Sequence, residues 1–156
     1  MFKYICALSV LLSGYSFSAV NNNDMGLYRD NNYNVLALAG GYNCGVYSLP
    51  KNIENIDDYN NVRIGSAVVE ITPYSGDNSV MVNVNLDTGV TVTSPRLPVV
   101  NKSSTGTIYA IKNEDLFFMY GATESEGIGV FIQDERKGSE KSLRIAGCKY
   151  ADNKAP

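Results

Sequence analysis

The tightest candidate for chemistry is Asp87-Thr88-Gly89, inside the stretch NVNLDTGVTVT from Asn83 to Thr93. An Asp in such a triplet can hydrolyse a peptide bond only when a second carboxylate shares its proton, one acting as acid and one as base. A chain with one triplet would have to dimerise to supply the partner. The proteolytic arrangement also places Ser, Thr or Ala after the glycine and an apolar-apolar-Gly segment later in the chain. Here Val90 follows, and Leu143 to Gly147 (LRIAG) is a loose counterpart. Asp and Gly between two alternating runs are hairpin residues: Asp hydrogen-bonds the turn and Gly takes the positive φ. The triplet is read as a turn.

Other catalytic devices lack their parts. The chain has no histidine, which removes the usual base for a serine or cysteine nucleophile and the commonest zinc ligand. No GxSxG and no phosphate-cradling loop occurs; Gly127-Ile128-Gly129 is a two-glycine fragment within a strand pattern. Ser139, Lys141 and Ser142 could form a Ser-Lys dyad, but they fall in a charged turn, and a lysine acts as a base only when burial depresses its pKa. The acidic pairs Asp57-Asp58, Glu114-Asp115 and Glu124/Glu126 are on polar connections. Asp24, Asp30 and the neighbouring asparagines lack the glycine and terminal glutamate of a calcium loop. The expectation is a non-enzyme with no cofactor and no metal.

What must position any remaining site is an exported domain. Residues 1–18 read as a secretory signal peptide: Lys3, an apolar run from Tyr4 to Leu12, then small residues, with cleavage after Ser18, or after Ala19 as next choice. The run is too short to span a bilayer. Cys6 opens that run instead of following it, which argues against a lipoprotein. Removing 18 of 156 residues leaves 138, enough for one domain with a real core, and moves the formal charge from −3 to −4 as Lys3 departs. Mild acidity without a basic cluster speaks against nucleic acid and anionic membranes. Residues 19–156 are expected to be a single periplasmic or secreted β-domain with no membrane span. Asn101-Lys102-Ser103 fits a glycosylation acceptor where the compartment uses one. The two remaining cysteines, Cys44 and Cys148, then pair as a disulfide closing almost the whole domain.

Alternating apolar and polar residues recur between turn signals. The spacing predicts strands over Asn34–Ala39, Val46–Leu49, Val62–Thr72, Ser79–Leu86, Val90–Thr93, Thr107–Ile111, Leu116–Tyr120, Ile128–Gln133 and Ser142–Ala146. Gly40-Gly41 reads as a stop, and Ser94 to Ser104, with its prolines, as loop or edge. One short helix is the most the periodicity allows, at Asn52–Asn60. This is an all-β, mainly antiparallel chain, a small sandwich or barrel of about eight strands.

The binding signal is aromatic. Tyr28, Tyr33, Tyr42, Tyr47, Tyr59 and Tyr74 fall in or beside turns, among asparagine, serine and glycine, which is the composition of recognition surfaces. An equal reading puts tyrosines in the core in place of the absent tryptophan. With the acidic loops, the candidate contacts are Tyr42, Tyr47, Tyr74, Glu124, Glu126, Asp134 and Glu135. Gly121 to Cys148 (GATESEGIGVFIQDERKGSEKSLRIAGC) resembles the C-terminal third of small periplasmic lysozyme inhibitors of bacteria. Their Ser-Gly-x-x-Tyr box and tryptophan-bearing strand are absent, so no residue is carried over. The expected partner is another protein: a toxin or wall-degrading hydrolase blocked by an inhibitor or immunity-type protein, or a surface component. A pilus-associated or adhesin subunit and a carbohydrate-binding module are the alternatives. Intact-mass measurement of the exported protein, before and after reduction, should find a chain beginning at Ala19 with one bridge; free thiols would contradict the assignment.

Overall fold

The computed structural model describes residues 23–49 and 62–151. The segment read as a signal peptide (residues 1–18), the helical candidate Asn52–Asn60 and the acids Asp57 and Asp58 lie outside the described residues. After a 3-10 turn at Asn23–Met25, the alternating runs become eleven strands. These are β1 (Leu27–Arg29), β2 (Val35–Ala37), β3 (Gly40–Ser48), β4 (Arg63–Pro73), β5 (Ser79–Leu86), β6 (Thr91–Thr93), β7 (Leu97–Lys102), β8 (Gly106–Lys112), β9 (Leu116–Thr123), β10 (Gly127–Asp134) and β11 (Lys141–Tyr150). The fold is all-β and antiparallel, as the alternation predicts.

Strand pairing decides between sandwich and barrel. The order runs β4-β3-β11-β10-β9-β8-β7-β5, and β5 pairs again with β4, from Ala67 opposite Leu86 to Pro73 opposite Val80. Eight strands therefore meander up and down and close on themselves. Short β6 extends the β5 ladder beside β7. Closure removes the open edges through which β-sheets aggregate.

One side chain in two points inward along each strand. Val69 and Ile71, Val82 and Val84, Phe118 and Tyr120, and Ile128, Val130 and Ile132 are buried by this rule. A single layer can be traced around the wall: Val99 beside Tyr109, Tyr120, Val130, Ile145 and Val46. At about 1.5–3 kcal/mol for each large apolar side chain taken out of water, this layer alone outweighs any surface ion pair.

The seam between β3 and β11 needs one irregularity. Ile145 and Cys148 both face inward although three residues apart, which simple alternation forbids. Gly147 and Cys148 together stand opposite Cys44, between the pairs Ala146–Gly45 and Lys149–Asn43. Gly147 takes φ +63° to accommodate this bulge, a conformation that suits glycine. Cys44 and Cys148 then meet across the seam with Cα atoms 4.1 Å apart and are disulfide-bonded. The cysteines lie within β3 and β11, whereas the strand pattern places Cys44 just after the first run, Asn34–Ala39, and Cys148 just after the last, Ser142–Ala146.

The β1–β2 hairpin caps one mouth of the barrel. Thr107 Oγ1, fully buried, donates to the Val35 carbonyl at 2.6 Å, and the Val35 N–H donates to the Ser103 carbonyl. Arg29 pairs with Glu124 at 2.9 Å and Lys102 with Asp30 at 3.0 Å. Asp30 organises the hairpin turn. Burial pushes its carboxyl up, yet hydrogen bonds from the Asn34 amide, Lys102 and the Asn34 and Asn32 backbone N–H groups bring it down to about 2.

Sequence and structure differ elsewhere too. Gly40-Gly41 opens β3 instead of ending β2, because Gly41 pairs with Glu70. The proline-bearing segment forms β7, paired with β5 on one side and β8 on the other, so it is no edge. Tyr42 is fully buried: two residues before Cys44, it shares the inward phase of β3.

Two measurements check this account. Replacing both Cys44 and Cys148 by Ala opens a bridge spanning 104 residues and should cost roughly 2–5 kcal/mol in urea unfolding; a loss below about 1 kcal/mol would contradict a tethered seam. Asp30→Asn should destabilise the domain at neutral pH by about 1 kcal/mol, the charge effect being screened at a side chain still 21% exposed. A depressed folded pKa gives stability present above the unfolded value and lost as pH falls through the folded one. The gap between variant and wild type should therefore close between about pH 4 and 2.

Candidate functional site

On the outside of β9, β10 and β11 the wall is built of very small residues. The register sets Gly121 beside Ile108 and Gly129, and Ala146 beside Gly45. Gly129 precedes Val130 and Ala146 follows Ile145, which pair directly, so the antiparallel register brings Gly129 and Ala146 together. Next to this row runs a row of large side chains: Met119 beside Phe131, Phe131 beside Arg144, Arg144 beside Tyr47. Small row against large row makes a groove of about 550 Å³.

Its ends are closed by side chains leaning over two of the glycines. A Cβ built on Gly45 would lie 3.0 Å from the Tyr47 hydroxyl, and one on Gly121 would lie 2.9 Å from Ile108 Cδ1. At Gly129 the nearest atom would be the Ile145 carbonyl oxygen at 3.6 Å. The floor is open there. Glycine within a strand weakens it, and is found where another backbone or a ligand comes close. The Arg144 guanidinium lies 4.6 Å from the centroid of the Tyr47 ring, a cation–π contact that holds both at the rim. Glu126 lines the opposite rim from the β9–β10 turn.

The residues singled out by sequence scatter across the molecule. Tyr47 and Glu126 share the groove. Tyr42 points inward, donating from its hydroxyl to the Leu38 carbonyl at 2.7 Å, and cannot touch a partner. Tyr74 lies in the β4–β5 connection under Arg96, 4.1 Å from its ring centroid. Glu124 is exposed but bonded to Arg29. Asp134 is buried, and both its oxygens are held by Arg136 at 2.8 and 2.7 Å; these bonds keep its carboxyl below the usual range. Glu135 is exposed next to it. Asp134 anchors its loop. Phe131, Met119 and Gly129 escaped the sequence reading, although Gly127, Gly129 and Phe131 do fall in the polar phase of an otherwise alternating strand.

The Asp87 triplet is a turn. Leu86 N–H donates to the Val90 carbonyl at 2.8 Å, Gly89 N–H to the Leu86 carbonyl at 2.9 Å, and Gly89 has φ +86°. The Asp87 carboxylate accepts from Ser66 N–H at 2.8 Å and from Ser66 Oγ at 3.1 Å. Those bonds lower its pKa, so it stays an ionised acceptor clasping β4. Among the described residues, no three acidic or cysteine side chains gather where a metal could bind. No family model, no curated protein and no solved structure matches the chain, and what the groove does must be read from its own residues.

Proposed function

We propose that this chain is an exported, non-catalytic binding protein whose groove over β9, β10 and β11 receives a segment of another protein. The role is that of an inhibitor or immunity-type protein, blocking a toxin or a wall-degrading enzyme. The observation that carries this reading is the open floor at Gly129 between the apolar wall of Met119 and Phe131 and the Tyr47–Arg144 pair. An apolar side chain of the partner enters over Gly129. Its flanking carboxylate meets Arg144, whose planar guanidinium suits a carboxylate and is already oriented by Tyr47. Pockets of this kind, with an aromatic and an arginine beside a desolvated floor, concentrate the binding energy of protein interfaces. The disulfide supports export, since such bonds persist in oxidising compartments.

A pilus-type subunit that assembles by strand donation needs an unpaired edge, and the closed ring leaves the described barrel without a long one. A rigid, preorganised wall suits an inhibitor better, because little conformational entropy is lost on binding.

Gly129→Leu tests the proposal. Gly129 is not in the left-handed region and a Cβ there meets only ordinary contact, so the fold should survive with an unchanged melting temperature. The side chain fills the floor, and co-purification of a stoichiometric partner from the compartment's extract should fall at least ~10-fold, the ratio corresponding to about 1.4 kcal/mol. No stable partner with the wild type, or a partner held equally by Gly129→Leu, would overturn it.

A further inference from the structure

Past Tyr47, which closes one end of the groove, the same two rows continue around the barrel. The row of small residues passes from Gly45 to Ser66 on β4, and Ser66 is clasped in turn by Asp87 from the β5–β6 turn. The row of large side chains keeps step, since Tyr47 has Arg144 on one side and Arg63 on the other. That second neighbour depends on a bulge in β4. Val46 pairs with Gly65 and Tyr47 with Arg63, so Ile64 is the extra residue. Without that bulge Ile64 would stand beside Tyr47, and no cation would join the row there.

Beyond Tyr47 the rows enclose a second depression of about 550 Å³. Gly45, Ser66 and Gly147 form its floor, Arg63 one rim and Lys149 with Asn43 the other. Its charged residues are Arg63, Lys149 and Asp87, two cations against one acid, on a chain whose formal charge is −3. The acid is already engaged, accepting from both the N–H and the Oγ of Ser66. Arg63 spends its Nε on the Gly65 carbonyl at 2.9 Å, which orients the guanidinium and leaves its terminal nitrogens to donate. Lys149 is exposed and makes no ion pair with the described residues.

We infer that this depression is a second subsite of the partner groove, taking a carboxylate side chain of the partner between Arg63 and Lys149. The inference rests on the groove reading above and adds the partner's chemistry: the bound segment is extended and acidic. Charge selects the occupant. One positive charge in excess matches one carboxylate, whereas a nucleic acid backbone needs a longer positive track. The spacing follows from the sheet. Strands lie about 4.8 Å apart, and the way from Gly129 on β10 crosses β11 and β3 toward β4, about 12 Å in all. An extended chain advances about 3.3 Å per residue and returns to the same face at every second one. The acid therefore stands about four residues from the apolar side chain over Gly129, and the backbone between them crosses Tyr47.

Two synthetic peptides test this by amide chemical-shift titration of the disulfide-bonded protein: acetyl-Gly-Leu-Asp-Ser-Gly-Glu-Gly-amide, and the same peptide with Gln in place of Glu. The acidic peptide should saturate, with shifts at Gly129 and Ala146 and also at Asn43, Gly45 and Ser66. The Gln peptide should bind about fivefold more weakly, keeping the first set of shifts and losing the second. Raising salt from ~50 to ~500 mM should narrow the difference. Lys149→Glu, at an exposed side chain, makes the subsite's net charge negative. It should turn the Gln peptide into the better ligand while the spectrum stays that of the folded barrel. The two readings fail differently. Equal affinity of both peptides at Gly129, or a preference that Lys149→Glu leaves in place, would overturn the second subsite alone. No saturable binding of either peptide, or binding that Gly129→Leu does not weaken, would overturn the groove reading and the subsite with it. Displacement of the acidic peptide by a short single-stranded oligonucleotide would assign the cations to nucleic acid and overturn the inference as well.

Discussion

A meander of eight antiparallel strands becomes a barrel only when its first and last members pair, and here those are β3 and β11. The bridged cysteines that mark this seam are 104 residues apart. Every other pairing in the ring joins strands that follow one another closely, so the seam is the contact whose formation costs the most chain entropy. Three features converge on it: the β3–β11 ladder, the Cys44–Cys148 bond and the bulge at Gly147. The bulge matters because it resets the phase of β11, letting Ile145 fill the middle of the barrel while Cys148 still faces Cys44. With any residue that resists φ +63° at position 147, the inward set of one half of β11 would turn toward solvent.

Closure also fixes what the outer wall can be. Since Tyr120, Val130 and Ile145 fill the inside of one layer, their sequence neighbours Gly121, Gly129 and Ala146 necessarily share the outside. Registers that align large residues within therefore align small ones without, and the groove follows from the same pairing that builds the core. Phe131 and Met119 stand one alternation further along, which makes the groove's depth a property of the sheet and not of a loop.

Much of this was legible in the sequence wherever alternation is strict. Ser79–Leu86 is a strand to the residue, because Val80, Val82, Val84 and Leu86 hold one phase without interruption. The reading failed where a turn-forming residue sits inside a strand. Gly40 and Gly41 look like a stop, and that displaced Tyr42 to an imagined surface. Pro98 disguised β7, although it tolerates its place by lacking only one donor. The groove was beyond reach, since Gly121, Gly129, Ala146 and Tyr47 become neighbours through register, which no single strand encodes. Its trace is faint: glycines in the outward phase of β9 and β10.

The tyrosines, read as either core or contact surface, divide between both roles, and their hydroxyls separate the two. Tyr47 and Tyr74 face outward, each stacked against an arginine, where the ring offers area at little entropic cost, and the Tyr74 hydroxyl donates to Met81 Sδ at 3.7 Å. Tyr42, Tyr109 and Tyr120 replace the absent tryptophan as the bulk of the interior. A phenol inside a barrel brings a donor that must be answered. Tyr42 is answered by the turn that leads from β2 to β3, which binds the cap to the mouth. Tyr109 and Tyr120 act through their rings, which stack with centroids 5.5 Å apart and join β8 to β9 inside the barrel.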